Sequence, residues 1–456
     1  MAPNYSLVLL LLQILYNGVF VFSIQEFGSN SVEPLAVLES TPNLSETLNA
    51  IADILNDSLP EFNYNKVIMK AEEFYATLPK SILNEATMLV PELVRTHGYP
   101  CETHKMKTSD GYILTMHRIP HGQDESKGTK DRPVVYLQHG LLSSSADWLI
   151  PGPEKGIGYI LADAGYDVWL PNARGNTYSR NHVSLDPDGD EFWNFSWHEI
   201  ALNDVTVMID YALSKTKQEN LYYIGHSQGT TVFYVLCSEK PEYNEKIRVH
   251  ISLAPIAYMS HMTSPLLQIV ATGGRGLQLL ADVSGVGEFM PNTGFLGKVG
   301  NVLCSEDSVT QVLCTNAMFA VCGFNQKQMN ATLLPIIMGH SPAGSSIMQV
   351  MHYVQEIKSG KFRQYDYGLI GNNRHYDNTS PPRYLLHKVT APVYLFYSRN
   401  DWVSAESDVL RLYRELGNVQ ERILIEDGKF NHVDYLYAID ARELVYDKVI
   451  TRLKAH

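Results

Sequence analysis

Six short apolar runs, rich in β-branched and aromatic residues, mark the chain from residue 134 onward. They are VVYLQHG (134–140), YDVWLPNARG (166–175), LYYIGHS (221–227), VHISLAP (249–255), PVYLFYS (392–398) and RILIE (422–426). Stretches with helical spacing lie at 156–164, 196–215, 228–240, 404–416 and 433–454. Strand-length runs separated by helices predict βα crossovers and a mainly parallel central sheet, with helices on both faces. Ahead of them, ETHKMKT (102–108) and GYILTMHRI (111–119) flank Ser109-Asp110-Gly111, which predicts a hairpin.

The rhythm breaks between about 256 and 388. SPLLQIVATGGRGLQLLADV (264–283) predicts a helix there, with Ser264 as N-cap and Pro265 at the first helical position. An insertion of this size between core strands is expected to form a cap over the strand ends. The apolar character of 264–283 suits either a lid over an acyl pocket or a buried core helix.

Upstream, LSETLNAIADIL (44–55) and YNKVIMKAEEFYATL (64–78) have helical periodicity, broken at Pro60 and Pro79. Residues 24–86 read as an N-terminal extension or pro-region. The run LVLLLLQILY (7–16), followed by Gly18 and Ser23, predicts a signal peptide cleaved near Ser23, although no Lys or Arg precedes it. A membrane anchor is the competing reading, but Gln13 and Asn17 interrupt the stretch and leave it short for a span. The expected organisation is therefore a leader (1–23), an extension (24–86) and an α/β domain (87–456) carrying the insertion.

Composition narrows the function. Of 456 residues, 45% are hydrophobic and 19% charged, which is ordinary for a globular chain. A net charge of −13 argues against a nucleic-acid partner, and no Lys/Arg block suggests an anionic-lipid anchor. The oligomeric state is not legible. Sequons at Asn43, Asn56, Asn194, Asn330 and Asn378 fit a secretory route. Five cysteines leave at least one thiol outside any internal pair. Cys304 and Cys314 are the expected disulfide, closing a short loop, and Cys237 reads as a small buried hydrophobe. No C-x-x-C pair occurs, and neither metal nor cofactor is expected.

The chemistry-bearing residues sit at strand ends, where a parallel sheet gathers reactive groups. Ser227 follows LYYI within G-x-S-x-G, Asp401 follows VYLFYS, and His432 follows RILIE within DGKFNHVDY. The order Ser, Asp, His is that of an α/β-hydrolase. A serine hydroxyl needs a base during attack, which His432 would supply. Asp401 would fix the imidazole tautomer. Asp408 and Asp427 compete for that last role, but the strand-end loop favours Asp401. The backbone N–H groups of Gln228, first in the following helix, and of Leu141 in HGLL (139–142) are the expected oxyanion donors. His139 and His226 read as packing or hydrogen-bonding neighbours, and Asp434 as an early-helix acid favoured by the macrodipole.

Longer segments carry a family resemblance. LQHGLLSSSADWL (137–149), LADAGYDVWLPNARGNTYSR (161–180), GHSQGTT (225–231), HSPAGSS (340–346) and FNHVDY (430–435) resemble the acid lipase family of gastric and lysosomal type, nearest to insect secreted lipases. The resemblance runs from about residue 87 to the C-terminus. It implies an α/β-hydrolase core with cap and lid, secreted or lysosomal. Such an enzyme hydrolyses triacylglycerol or sterol esters at a lipid–water interface without stable membrane insertion. Its nucleophile, acid and base match Ser227, Asp401 and His432, and its oxyanion donors match Leu141 and Gln228. Its disulfide maps onto Cys304–Cys314 and its free thiol onto Cys322. Cys101, Cys237 and the long segment 24–85 depart from the family pattern. A soluble-ester carboxylesterase and a non-catalytic lipid-binding protein on the same fold are the competing functional readings.

Overall fold

The computed structural model describes residues 79–124, 132–264, 267–268, 271, 287–289 and 321–456. The expected leader, most of the extension, the 264–283 helix, Cys304, Cys314, Asn43 and Asn56 lie wholly or almost wholly outside them.

Eight strands form the main sheet: β1 (Glu102–Lys107), β2 (Ile113–Ile119), β3 (Val134–Gln138), β4 (Asp167–Pro171), β5 (Leu221–His226), β6 (Ile247–Leu253), β9 (Val393–Tyr397) and β10 (Val419–Leu424). Two short strands, β7 (Glu288–Phe289) and β8 (Ser345–Ser346), pair separately. The order is β1-β2-β4-β3-β5-β6-β9-β10. The β1–β2 and β2–β4 pairings are antiparallel, and every later pairing is parallel.

The flanking helices are α1 (Lys80–Glu85), α2 (Val90–Thr96), α3 (Ile157–Asp163), α4 (Thr206–Thr216), α5 (Gln228–Glu239), α6 (Leu334–His340), α7 (Ile347–Ser359), α8 (Gly368–Tyr376), α9 (Glu406–Glu415), α10 (Asp434–Tyr437) and α11 (Asp447–Lys454). Successive strand residues face opposite sides. Val135 and Leu137 of β3 join one apolar layer with Ile160 of α3 and Val449 and Leu453 of α11. Val134 and Tyr136 join another with Met208 of α4 and Val232 and Leu236 of α5. A sheet covered on both faces explains why its central strands read as unbroken apolar runs.

The hairpin forms where expected, and its turn is tied to the loop after β4 by a buried cation. The Arg174 guanidinium donates to Asp204 (2.7 Å) and Asp110 (2.6 Å) and lies 3.9 Å over the Tyr112 ring. Burial pushes the Asp204 carboxyl upward, and the Arg174 charge pulls against that shift. Arg174→Met leaves Asp204 buried without its counter-ion. A loss of about 3–5 kcal/mol in unfolding free energy is expected, read by chemical denaturation.

Two helices differ from the expected pattern. The 196–215 run contains a π-helical stretch, Ile200–Val205, which carries Asp204. The expected 433–454 helix breaks after α10, where Ala438 is extended. Gln328 holds the break open: its carbonyl accepts from Ile439, and its side chain exchanges two 3.0 Å hydrogen bonds with Asp440.

Candidate active site

Strand β5 ends at His226 and α5 begins at Gln228, so Ser227 occupies the whole turn between them. Its backbone has φ 53° and ψ −119°. For a non-glycine residue such a conformation costs on the order of 1–3 kcal/mol and persists only when its surroundings enforce it. The glycines on either side show the enforcement. A Cβ on Gly229 would stand 2.1 Å from the Gln138 carbonyl oxygen, and one on Gly225 would stand 2.7 Å from the Gly229 backbone. Strands β3 and β5 and helix α5 therefore meet too closely for any side chain. Ser227 is projected from the carboxyl edge of the sheet.

Two other strand-end loops reach the same point. His432 Nε2 lies 2.8 Å from Ser227 Oγ. Its Nδ1 lies 2.9 Å from Asp401 Oδ2 and 3.0 Å from Oδ1. Asp401 is buried, and Oδ1 also accepts from the backbone N–H groups of Val403 (2.9 Å) and Ser404 (2.8 Å). Its loop is anchored by Ser404 Oγ, which donates to the Pro255 carbonyl at 2.6 Å. Asp408, by contrast, accepts from His261, and Asp427 accepts from Lys429 N–H and Asn325, so neither meets His432.

The histidines beside the motifs act on the backbone. His226 Nε2 donates to the His432 carbonyl at 2.8 Å and so steadies that loop. His139 Nδ1 donates to the Gly140 carbonyl (2.8 Å), while Nε2 accepts from Ala173 N–H (3.0 Å). Burial lowers their pKa values to about 3 and about 4 respectively, which keeps both rings neutral and suited to these roles.

The HGLL loop abuts the serine: a Cβ on Gly140 would lie 3.2 Å from Ser227 Cβ. Among the described residues, neither the Leu141 nor the Gln228 N–H donates to a protein acceptor. The Gln228 group stands at the positive end of α5, where a negative oxygen is favoured.

Asp434 begins α10 as expected, but burial outweighs the dipole and raises its pKa to about 7. It accepts from Asn325 Nδ2 (2.7 Å) and Asn431 N–H (2.8 Å). The unfolded carboxyl ionises near its ordinary value of 3.8. The native proton therefore contributes fully below pH about 4, and that contribution is lost as pH rises toward 7. Asp434→Asn removes this titration. The wild-type melting temperature is expected to fall more steeply than the variant's between pH 4 and 7, as followed by calorimetry.

Asn194 and Asn378 are exposed and Asn330 is half-buried. Cys101, Cys237 and Cys322 are buried free thiols. The sequence reading missed Asn325 and Gln349, because each contacts the site region from the insertion and no local pattern marks it.

The fold is that of an α/β-hydrolase, and comparison with known proteins narrows the chain to a carboxylic ester hydrolase. Residues 90–152 match the model of a partial alpha/beta-hydrolase lipase region, and 133–278 match that of the alpha/beta hydrolase fold. "Lipase 3" of Drosophila melanogaster is 45% identical over 80% of this chain and 92% of its own. "Gastric triacylglycerol lipase" of Rattus norvegicus is 39% identical over 81% and 92%. "Lysosomal acid lipase/cholesteryl ester hydrolase" of Homo sapiens is 36% identical over 82% and 92%. The chain belongs to the gastric and lysosomal acid lipase family, and it is a lipase.

Proposed function

We propose that this chain hydrolyses the ester bonds of neutral lipids, triacylglycerols or sterol esters, through an acyl-enzyme on Ser227. The observation that carries the reading is the relay from Ser227 Oγ through His432 to Asp401, at 2.8 and 2.9 Å. His432 takes the hydroxyl proton as Ser227 attacks the ester carbonyl, and the imidazolium is steadied by Asp401. The tetrahedral oxyanion is held by Leu141 and Gln228 N–H, and such a donor contributes a factor of about 10² to 10³ in turnover. Collapse returns the proton to the leaving alcohol. Water then repeats the sequence and releases the fatty acid.

An apolar acyl chain suits the surroundings. Ala271, Val350, Val354 and Phe289 pack together beside Leu141. Residues from about 256 to 388 stand between sheet neighbours β6 and β9, and in this reading they cap the site. Among the described residues no helix is long and apolar enough to cross a membrane, which fits a lipase that meets lipid at an interface. The same reading includes removal of 1–23, a separate extension 24–86, a Cys304–Cys314 disulfide, glycans on the sequons and a secreted or lysosomal destination.

Turnover of emulsified trioleoylglycerol and cholesteryl oleate against dissolved p-nitrophenyl acetate tests the substrate. Faster turnover of an emulsified ester supports the proposal. Activity on the dissolved ester alone would make the enzyme a soluble-ester carboxylesterase.

A further inference from the structure

The insertion meets the chain beside both oxyanion donors: at Leu142, next to Leu141, and at the Gln228 side chain. At the first, Ala343 N–H donates to the Leu142 carbonyl at 2.7 Å, and Ser341 Oγ reaches the same oxygen at 3.4 Å. Leu142 follows the donor Leu141 and has φ 60°, a conformation that leucine does not hold without outside support. The Ala343 carbonyl is fixed in turn by Thr177, through its N–H (2.8 Å) and its Oγ1 (3.1 Å).

At the second donor, Gln228 is reached through its side chain. Its Nε2 donates to Gln349 Oε1 at 2.7 Å, and both side chains are buried. Gln228 Oε1 has no partner among the described residues, so Gln349 alone holds this amide. Gln349 itself is well placed. It lies in the first turn of α7, where its N–H donates to the N-cap Ser346 Oγ, and that hydroxyl donates to the Phe195 carbonyl at 2.6 Å. One turn on, Tyr353 OH donates to Thr231 Oγ1 at 3.0 Å, which pins the same face of α7 to α5.

We propose that Gln349 is a positioning residue for ester hydrolysis. Through the Gln228 side chain it sets the direction of the Gln228 N–H, while Ala343 braces the loop of Leu141 at the neighbouring Leu142 carbonyl. The insertion thus aligns the oxyanion hole. The proposal rests on the reading of Ser227 as nucleophile. An oxyanion donor acts on charge that develops in the transition state, so misalignment lowers kcat and leaves KM nearly unchanged.

The test is a double-mutant cycle on p-nitrophenyl butyrate hydrolysis by the full chain. Gln349→Met and Gln228→Met are each expected to lower kcat about tenfold with KM within about twofold, and the double variant is expected to be no slower than either single, because all three lose the same hydrogen bond. Gln349→Glu keeps an acceptor oxygen and nearly the same volume. It should retain kcat within about threefold, and it keeps the test open should the Met variant fail to fold. Three results would overturn the proposal: full kcat in Gln349→Met, additive losses in the double variant, or no rescue by glutamate. Wild type and Ser227→Ala run in parallel; equal turnover by those two would overturn the nucleophile reading instead.

Discussion

Ser227→Ala is expected to lower kcat on p-nitrophenyl butyrate by about 10⁵- to 10⁶-fold while the protein folds normally, a barrier increase of roughly 7–8 kcal/mol. The hydroxyl is the atom that forms the acyl bond in this account, so no other group can take its place. The remaining oxyanion donors and the binding site still favour attack by water, which leaves a residue of about 10³- to 10⁴-fold over the uncatalysed rate. Alanine also relieves no backbone strain, because the φ of 53° is imposed by the close approach of Gly225 and Gly229 to their neighbours and not by the serine. The melting temperature should accordingly stay near that of wild type. Steady-state turnover and a thermal melt together check both statements.

Asp401→Asn is expected to reduce kcat by about 10⁴-fold with little change in KM. The carboxylate faces His432 Nδ1 with both oxygens, and Oδ1 is already fixed by Val403 and Ser404 N–H. Two donors on Oδ1 dictate how an asparagine would sit: its carbonyl takes that place and its NH₂ faces the imidazole. The ring must then accept at Nδ1 and carry its proton on Nε2, toward Ser227. A histidine in that tautomer cannot receive the serine proton. Geometry is preserved and the base is lost, so pre-steady-state acylation should slow by the same factor as turnover. A loss confined to KM would contradict this role for Asp401.

Parts of this arrangement are written locally in the chain, and others are not. The central strands are visible because both of their faces are buried, so apolar residues run without interruption, as in VVYLQ and VYLFY. β10 is less visible. As an edge strand it exposes Gln420, Glu421 and Arg422, and only its last residues belong to the apolar run RILIE. The C-terminal helix misleads for another reason: its periodicity continues through Ala438–Ala441, but Gln328, more than a hundred positions earlier, captures Ile439 and Asp440. Tertiary contact overrides propensity there.

The same division holds in the site. Ser227, Asp401 and His432 are legible because a parallel sheet delivers its strand ends to one edge. Gln349 and Asn325 are not, since their contacts depend on how the insertion folds back. Asp434 was legible as a helix-start acid, yet its protonation near neutrality follows from burial, which the sequence does not display.

The claim that Ser227 is the nucleophile is tested most directly by treating the folded wild-type protein with a fluorophosphonate and mapping the adduct by peptide mass spectrometry. A single phosphonylated residue is expected, Ser227, in the peptide containing GHSQGTT. An adduct on another residue, or folded protein that takes up no label, would contradict it.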